Sequence, residues 1–239
     1  MTGVMINGAA VLFGGLIGML FKKGIPDSIE KSMNKALGIV VIVIGFNGII
    51  SNMFQVRGDG SLKSSGELLL AISLALGTLT GELLKLDDKM NAFSNKIEEK
   101  FKIEGFTIGF ITASSICCIG AMGIIGSLTG GLTGDHSILI TKSILDFVIT
   151  VVLAASLGFG VMFSFIPLVL YQGSICLFAG VLSNILAGEL LTQVCMVGYT
   201  LIVCVGLNLM TGIKFKTVNM LPSLLIPILY YGIQVLFKV

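Results

Sequence analysis

The stretch SILITKSILDFVITVVLAASLGFG, Ser137 to Gly160, is an unbroken apolar run except that it carries Lys142 and Asp146 four residues apart. At 1.5 Å rise per residue, about 20 apolar residues cross a hydrocarbon layer ~30 Å thick. If this stretch spans a membrane, its two charges need an explanation that a soluble helix would not require. The rest of the chain places it in a bilayer. Hydrophobic residues make up 55% of the 239 residues, charged residues only 12%, and the mean hydropathy is +1.02. Soluble domains carry about 25% charged residues. Such a composition predicts an all-α, polytopic integral membrane helix bundle, a single transmembrane domain over residues 1–239.

Working outward, apolar runs predict about eight spans, at 4–22, 32–52, 67–85, 106–127, 137–160, 164–187, 191–212 and 219–237. The first run has no basic leader and no small-residue cleavage pattern, so it reads as a retained helix. KKGIPDSIEKSMNK supplies a Gly-Pro break ahead of the second span, with Asp27 and Ser28 as capping residues. Ser64 to Glu67, SSGE, has capping-box spacing before the third. After it, Leu86, Met90, Phe93, Ile97 and Phe101 recur at helical spacing among charges, which predicts an amphipathic helix at about 86–104 lying at the membrane surface or folded on the bundle. Basic residues collect in cytoplasmic loops. With eight spans, eleven fall on one side and four on the other, which puts both termini outside and the amphipathic helix in the cytoplasm.

Ionisable groups inside spans are costly and usually face a protein interior or a wet cavity. Lys142 and Asp146 share one helix face at the spacing that lets them pair. One reading is an anchoring ion pair near the outer interface, with Lys142 snorkelling to water. The other is a functional site, because Asp146 lies about 13 Å into the span at 1.5 Å per residue and is too short to reach out. The preceding segment, CCIGAMGIIGSLTGGLTGDHS, holds Gly120, Gly123 and Gly126, suited to close helix packing. Its later part concentrates Ser127, Thr129, Gly130 and Gly131, residues that weaken helices. A broken helix or re-entrant turn is therefore expected near 127–135, with freed carbonyls able to hold an ion.

An internal repeat adds four amides. NGAAVLFGGLIG from Asn7 resembles QGSICLFAGVLS from Gln172, and VIGFNGI around Asn47 resembles CVGLNLM around Asn208. Spans one and two then correspond to spans six and seven in inverted orientation, an arrangement typical of secondary transporters with midplane sites.

Several classes lose support. Thr141-Lys142-Ser143 lacks the glycine spacing of a nucleotide loop. His136 is the single histidine, beside Asp135 in a turn, and there is no zinc-type spacing or hydrolase triad, so no enzyme activity and no metal site or cofactor is expected. The five cysteines lie in apolar runs and read as small buried residues. A net charge of +2 makes no case for nucleic acid. Glu82 reads as solvated or paired with Lys85.

CIGAMGIIGSLTGGLTGDHSILITKSILD, with GGLIGMLFKKGIP, LTGELL, SFIPLVLYQGS and GLNLMTGIKFKTVNMLPSLL, resembles the bacterial membrane-protein family called domain of unknown function 554, over nearly the whole chain. The resemblance implies a multi-pass protein of the bacterial cytoplasmic (inner) membrane. It singles out Gly126, Ser127, Gly134, Asp135, Lys142, Ser143 and Asp146, and supplies no activity. The residues themselves point to a secondary transporter or channel-like permease for a small ion or polar solute. Its site would combine Asp146, Lys142, Asn47, Asn208, Ser127, Thr129, Gly130, Gly131, Gln172 and Asn7, with a coupling cation or proton at Asp146. The alternative is a non-transporting scaffold or sensor that meets a partner at 86–104. Besides the lipid bilayer, the glycine faces fit a homodimer.

Overall fold

A computed structural model describes every residue except 23–26, 57, 59, 102–104, 119–120, 183–187, 214 and 238–239. The elements in chain order are α1 (Thr2–Lys22), α2 (Asp27–Met53), strands β1 (Phe54–Val56) and β2 (Leu62–Ser64), α3 (Glu67–Leu84), α4 (Leu86–Phe101), α5 (Phe106–Cys118), α6 (Ala121–Leu132) and α7 (Ser137–Leu157). A 3-10 turn (Phe159–Ser164) leads to α8 (Phe165–Leu177), α9 (Ala179–Leu182), α10 (Gly188–Thr211), α11 (Thr217–Met220), a second 3-10 turn (Leu221–Leu224) and α12 (Leu225–Phe237). The expected Gly24-Pro26 break, Gly120 and the end of the amphipathic segment at 102–104 lie outside the described residues.

The fold is a helical membrane bundle, with a different division into spans from the one expected. Among the described residues, six helices are long and apolar enough to cross a membrane, or seven if α5 and α6 form one bent span. The eighth predicted span, 219–237, is split into α11, a 3-10 turn and α12, which has only 13 residues. Pro222 and Pro227 explain the split: proline lacks the amide donor a helix interior needs, so each sits near the start of its own short element.

The break expected at 127–135 falls only at its end: the chain stays helical through Leu132 and turns at Thr133 and Gly134, the latter at φ 74°, while the axes of α5 and α6 differ by 58°. The carbonyl of Thr129 is not freed, since it accepts from both Thr133 N and Thr133 Oγ1 at 2.9 Å. Gly130 and Gly131 serve close approach instead: a side-chain carbon on Gly130 would lie 2.6 Å from His136 Nδ1, and one on Gly131 2.6 Å from the Ala179 methyl. The expected capping box also differs. Gly66, at φ 93°, precedes α3, while Ser64 on β2 donates its hydroxyl to the Glu67 carboxylate.

Contacts group the chain into two compact units, Met1–Leu37 with Met90–Leu186, and Gly38–Lys89 with Ala187–Val239. In the first, α1 lies along α7 in the same direction. Its glycines face that helix: a carbon added to Gly14 would lie 2.7 Å from Phe147 O, and one added to Gly18 would lie 2.7 Å from the Ala154 methyl. Small residues at helical spacing let backbones touch where hydrocarbon supplies no hydrophobic drive. α8 runs antiparallel to α1, with Gly173 beside Val4 and Gly8 against Val169. Gly158, at φ 80°, ends α7 and redirects the chain into the 3-10 turn, whose Gly160 packs on α5.

In the second unit, α2 and α10 pack through Gly38, Gly45 and Gly206, and α3 packs on α11 and the second 3-10 turn through Gly77 and Gly81. The antiparallel pair β1–β2, not anticipated from the apolar pattern, joins α2 to α3. Glu82 pairs with Lys216 at 3.1 Å rather than with Lys85, which adopts φ 51° at the end of α3. In α4 the side chains of Leu86 and Met90 are half-buried and that of Phe93 is exposed, while those of Ile97 and Phe101 lie outside the described set.

Candidate functional site

The opening puzzle of two charges in an apolar helix is resolved inside the first unit. Lys142 and Asp146 point from α7 into the bundle, 7% and 3% exposed. Lys142 Nζ donates to both carboxylate oxygens of Asp146, each at 2.8 Å. Lys142 therefore does not snorkel to water, and the anchoring-pair reading at the outer interface does not describe this geometry.

Two more helices close on the pair. Asn7 of α1 and Gln172 of α8 are fully buried, and Asn7 Nδ2 donates to Gln172 Oε1 at 3.2 Å. Asn7 also lies beside the Asp146 carboxylate. Gly123 of α6 supplies the fourth wall. A side-chain carbon there would lie 3.4 Å from Gln172 Nε2, 3.6 Å from Lys142 Cε and 4.0 Å from Cys118 O.

Three hydroxyls nearby are engaged. Ser127 Oγ donates to Gly123 O at 2.7 Å, Ser143 Oγ to Leu139 O at 2.6 Å, and Thr150 Oγ1 to Asp146 O at 2.8 Å. Such back-bonding to the preceding turn is how a hydroxyl is satisfied within an apolar helix. Asn7 Oδ1 and Gln172 Nε2 are two of seven buried side-chain atoms without a partner among the described residues, the others being Ser73 Oγ, Ser114 Oγ, His136 Nδ1, Gln193 Oε1 and Ser223 Oγ. An unmet buried polar atom costs about 1–3 kcal/mol, so an acceptor and a donor left open side by side mark this cluster as more than packing.

Apolar layers seal it one helical turn away on either side. Val4, Leu139 and Cys176 form one cluster, with Val169 against it. Val11, Cys117 and Leu168 form the other, packed by Cys118, Phe165 and Val169. The polar groups thus lie in a thin layer between two dry ones. The periodicity of spans hinted at these layers, but nothing in the sequence paired Gly123 with Gln172 or placed Cys117 beneath the ion pair.

Of the other expected site residues, Thr129, Gly130 and Gly131 lie on α6 beyond Ser127, and their carbonyls belong to the helix or its end. Asn47 and Asn208 belong to the second unit. Asn47 is exposed on α2. Asn208 clasps the loop after α10, donating to Phe215 O at 2.9 Å and accepting from Phe215 N at 2.8 Å. Asn208→Ala should release that loop at about 1 kcal/mol per lost bond. Hydrogen exchange at Phe215 is the check, and unchanged protection would refute the clasp.

At the mouth of α7, Asp135 Oδ1 accepts from Ser137 N at 2.9 Å, and this backbone bond holds its carboxyl below the usual range. His136 is half-buried, with Nδ1 close to Gly130.

Comparison with known proteins agrees with the membrane reading. The chain is 35% identical over 227 residues to the uncharacterized membrane protein YdfK of Bacillus subtilis (strain 168), a match covering 95% of this chain and 94% of that protein. It is 31% identical over 232 residues to the uncharacterized protein YqgA of Escherichia coli (strain K12), covering 94% and 93%. No solved structure matches it. The model of the protein family of unknown function DUF554 matches residues 2–232, and the chain, a membrane-embedded helical protein, belongs to that family.

Proposed function

We propose that the protein is a secondary transporter or channel-like permease for a small ion or polar solute, with Asp146 as the group that a coupling cation or proton neutralises. One observation carries the reading: a carboxylate 3% exposed and well inside an apolar helix is paired with a lysine and lies beside Asn7 of α1, whose amide bonds Gln172 of α8, and an amide acceptor and an amide donor of that second pair are left open. What sets this cluster apart from the other unpartnered buried atoms is that its open donor and acceptor lie in the same layer as a buried ion pair. The sealing layers make this an occluded arrangement, and alternating access would open one layer at a time.

Contacts related by a fixed displacement support an inverted repeat. A shift of 165 residues separates Asn7 from its partner Gln172, and it also carries Val4 to Val169 and Gly8 to Gly173. The contact of Val4 with Gly173 thus becomes that of Val169 with Gly8. In the second unit a shift of 161 residues turns the packing of Gly206 on Gly38 and Ile42 into that of Gly45 on Tyr199 and Val203. Contacts that exchange in this way are those a local two-fold axis would impose, and the Asn7–Gln172 pair would sit on it. Inverted repeats of this kind commonly meet at the transport site.

The test is flux into proteoliposomes containing the purified protein, scanned across inorganic ions and small polar solutes, with wild type beside Asp146→Asn. Uptake of a specific solute that falls at least tenfold in the variant is the expected result. Equal uptake by both proteins for every solute that moves, or none that moves at all, would defeat the proposal.

A further inference from the structure

We infer that the solute is a small monovalent anion that enters together with a proton, an inference that rests on the transport reading and adds its chemical class. Charge balance leads to it. Lys142 and Asp146 together are neutral in a layer closed by Val4, Leu139 and Cys176 on one side and by Val11, Cys117 and Leu168 on the other. A proton arriving on Asp146 forms an O–H bond and ends the carboxylate's hold on Lys142 Nζ. The ammonium is then an uncompensated charge in a dry interior, an arrangement that proteins do not tolerate. Neutrality returns if one negative charge arrives with each proton.

The donors at the site suit that anion. Lys142 Nζ, released from Asp146, has three N–H groups, and Gln172 Nε2 is a buried donor without a partner among the described residues. Both border the space beside Gly123, Gln172 Nε2 at 3.4 Å and Lys142 Cε at 3.6 Å from where a side chain would begin. Asn7 Oδ1 is a buried acceptor without a partner among the described residues, and a turn of the Asn7 amide would offer it to the new O–H. Donors therefore border the space for the anion, and one acceptor is free for the proton. The space admits about one methyl group, which selects ions of few atoms.

The titratable groups on the packed elements are few. They are Cys117 and Cys118 on α5, Cys176 and Tyr171 on α8, and on α1 the Met1 amine, which donates to Cys176 Sγ at 3.5 Å, and Lys22 at its far end. None is a second carboxylate that could take the proton in place of Asp146.

The test uses proteoliposomes loaded with a pH-sensitive dye, the membrane potential clamped with potassium and valinomycin, and inward gradients of chloride, bromide, nitrate or thiocyanate against gluconate. Wild type should acidify the lumen with at least one of the four anions, independently of the clamped potential. Gly123→Ala should reduce that signal at least tenfold. Its added methyl meets neighbours only at ordinary contact distance, 3.4 Å or more, so the fold accepts it while the space is filled. Lys142→Gln, checked for monodispersity, should do the same. Acidification by Gly123→Ala equal to wild type, anion entry without protons, or no movement of the four anions overturns the inference. If a cation or neutral solute moves in an Asp146-dependent way instead, the anion assignment falls and the transport proposal survives. If no solute shows such dependence, both fall.

Discussion

Asp146→Ala is expected to destabilise the protein by about 3–5 kcal/mol, because it strands the Lys142 ammonium in an interior where its side chain is 9% exposed. Total stabilities are of the order of 5–15 kcal/mol, so the loss should appear as a sharp fall in yield and in denaturation midpoint. The double variant Lys142→Met with Asp146→Leu should recover most of it, since replacing a buried pair by apolar groups of similar volume is often neutral or stabilising. Denaturant titration of the single and double variants in the same detergent measures the difference. A single variant as stable as wild type would mean that Lys142 finds water or another partner, and the sealed geometry would be wrong. The cycle also separates structure from function. If the pair serves only to hold α7, the double variant keeps every activity of the wild type. If Asp146 carries the coupling charge, the double variant is stable and transports nothing.

The second large effect concerns α1. Gly14→Ala and Gly18→Ala each put a methyl against the backbone of α7: the added carbon would lie 2.7 Å from Phe147 O at position 14 and 3.0 Å from Val151 C at position 18. A flexible side chain could yield at such distances, but a helical backbone yields only by moving the whole helix. Overpacking costs typically 1–3 kcal/mol per site, and the pair of changes should separate α1 from α7. Asn7 sits on α1, so the same separation should disturb the polar cluster. The control is Gly232→Ala in α12, where nothing lies within 4 Å. There the substitution should be neutral or stabilise by up to about 1 kcal/mol through helix propensity. Thermal aggregation midpoints of the three variants would decide. If Gly14→Ala and Gly18→Ala behave like Gly232→Ala, α1 and α7 are not in backbone contact.

Much of this architecture could be read before any coordinates. Apolar runs located the long helices within a few residues, and the periodicity of 86–101 marked α4 correctly as a helix of mixed character. Spacing alone put Lys142 and Asp146 on one helix face where they could pair, and left open whether Lys142 reaches to water instead. Errors came where composition was used to infer conformation. Thr129, Gly130 and Gly131 weaken an isolated helix, yet α6 continues through them because their small side chains let His136, Cys176 and Ala179 approach. The last span was counted as one helix since its hydropathy is continuous, although Pro222 and Pro227 divide its hydrogen bonding. The hairpin β1–β2 escaped notice because three-residue strands are too short to show a period.

The candidate site divides along the same line. Sequence pattern could nominate Asn7 and Gln172 as related amides, and it nominated Asn47 and Asn208 on equal grounds. Their surroundings separate them: the first two are fully buried and bonded to each other, Asn47 is exposed, and Asn208 is spent on Phe215. By itself the sequence determined that this chain is a bundle of membrane helices with a paired charge on α7, since hydropathy, length and helical spacing are local properties. Only the tertiary structure decided that the pair is sealed between two apolar layers, that α1, α6 and α8 complete its surroundings, and that one amide donor and one amide acceptor remain open there. Burial and the satisfaction of polar groups depend on which helices meet, and that is fixed by contacts between residues far apart in the chain.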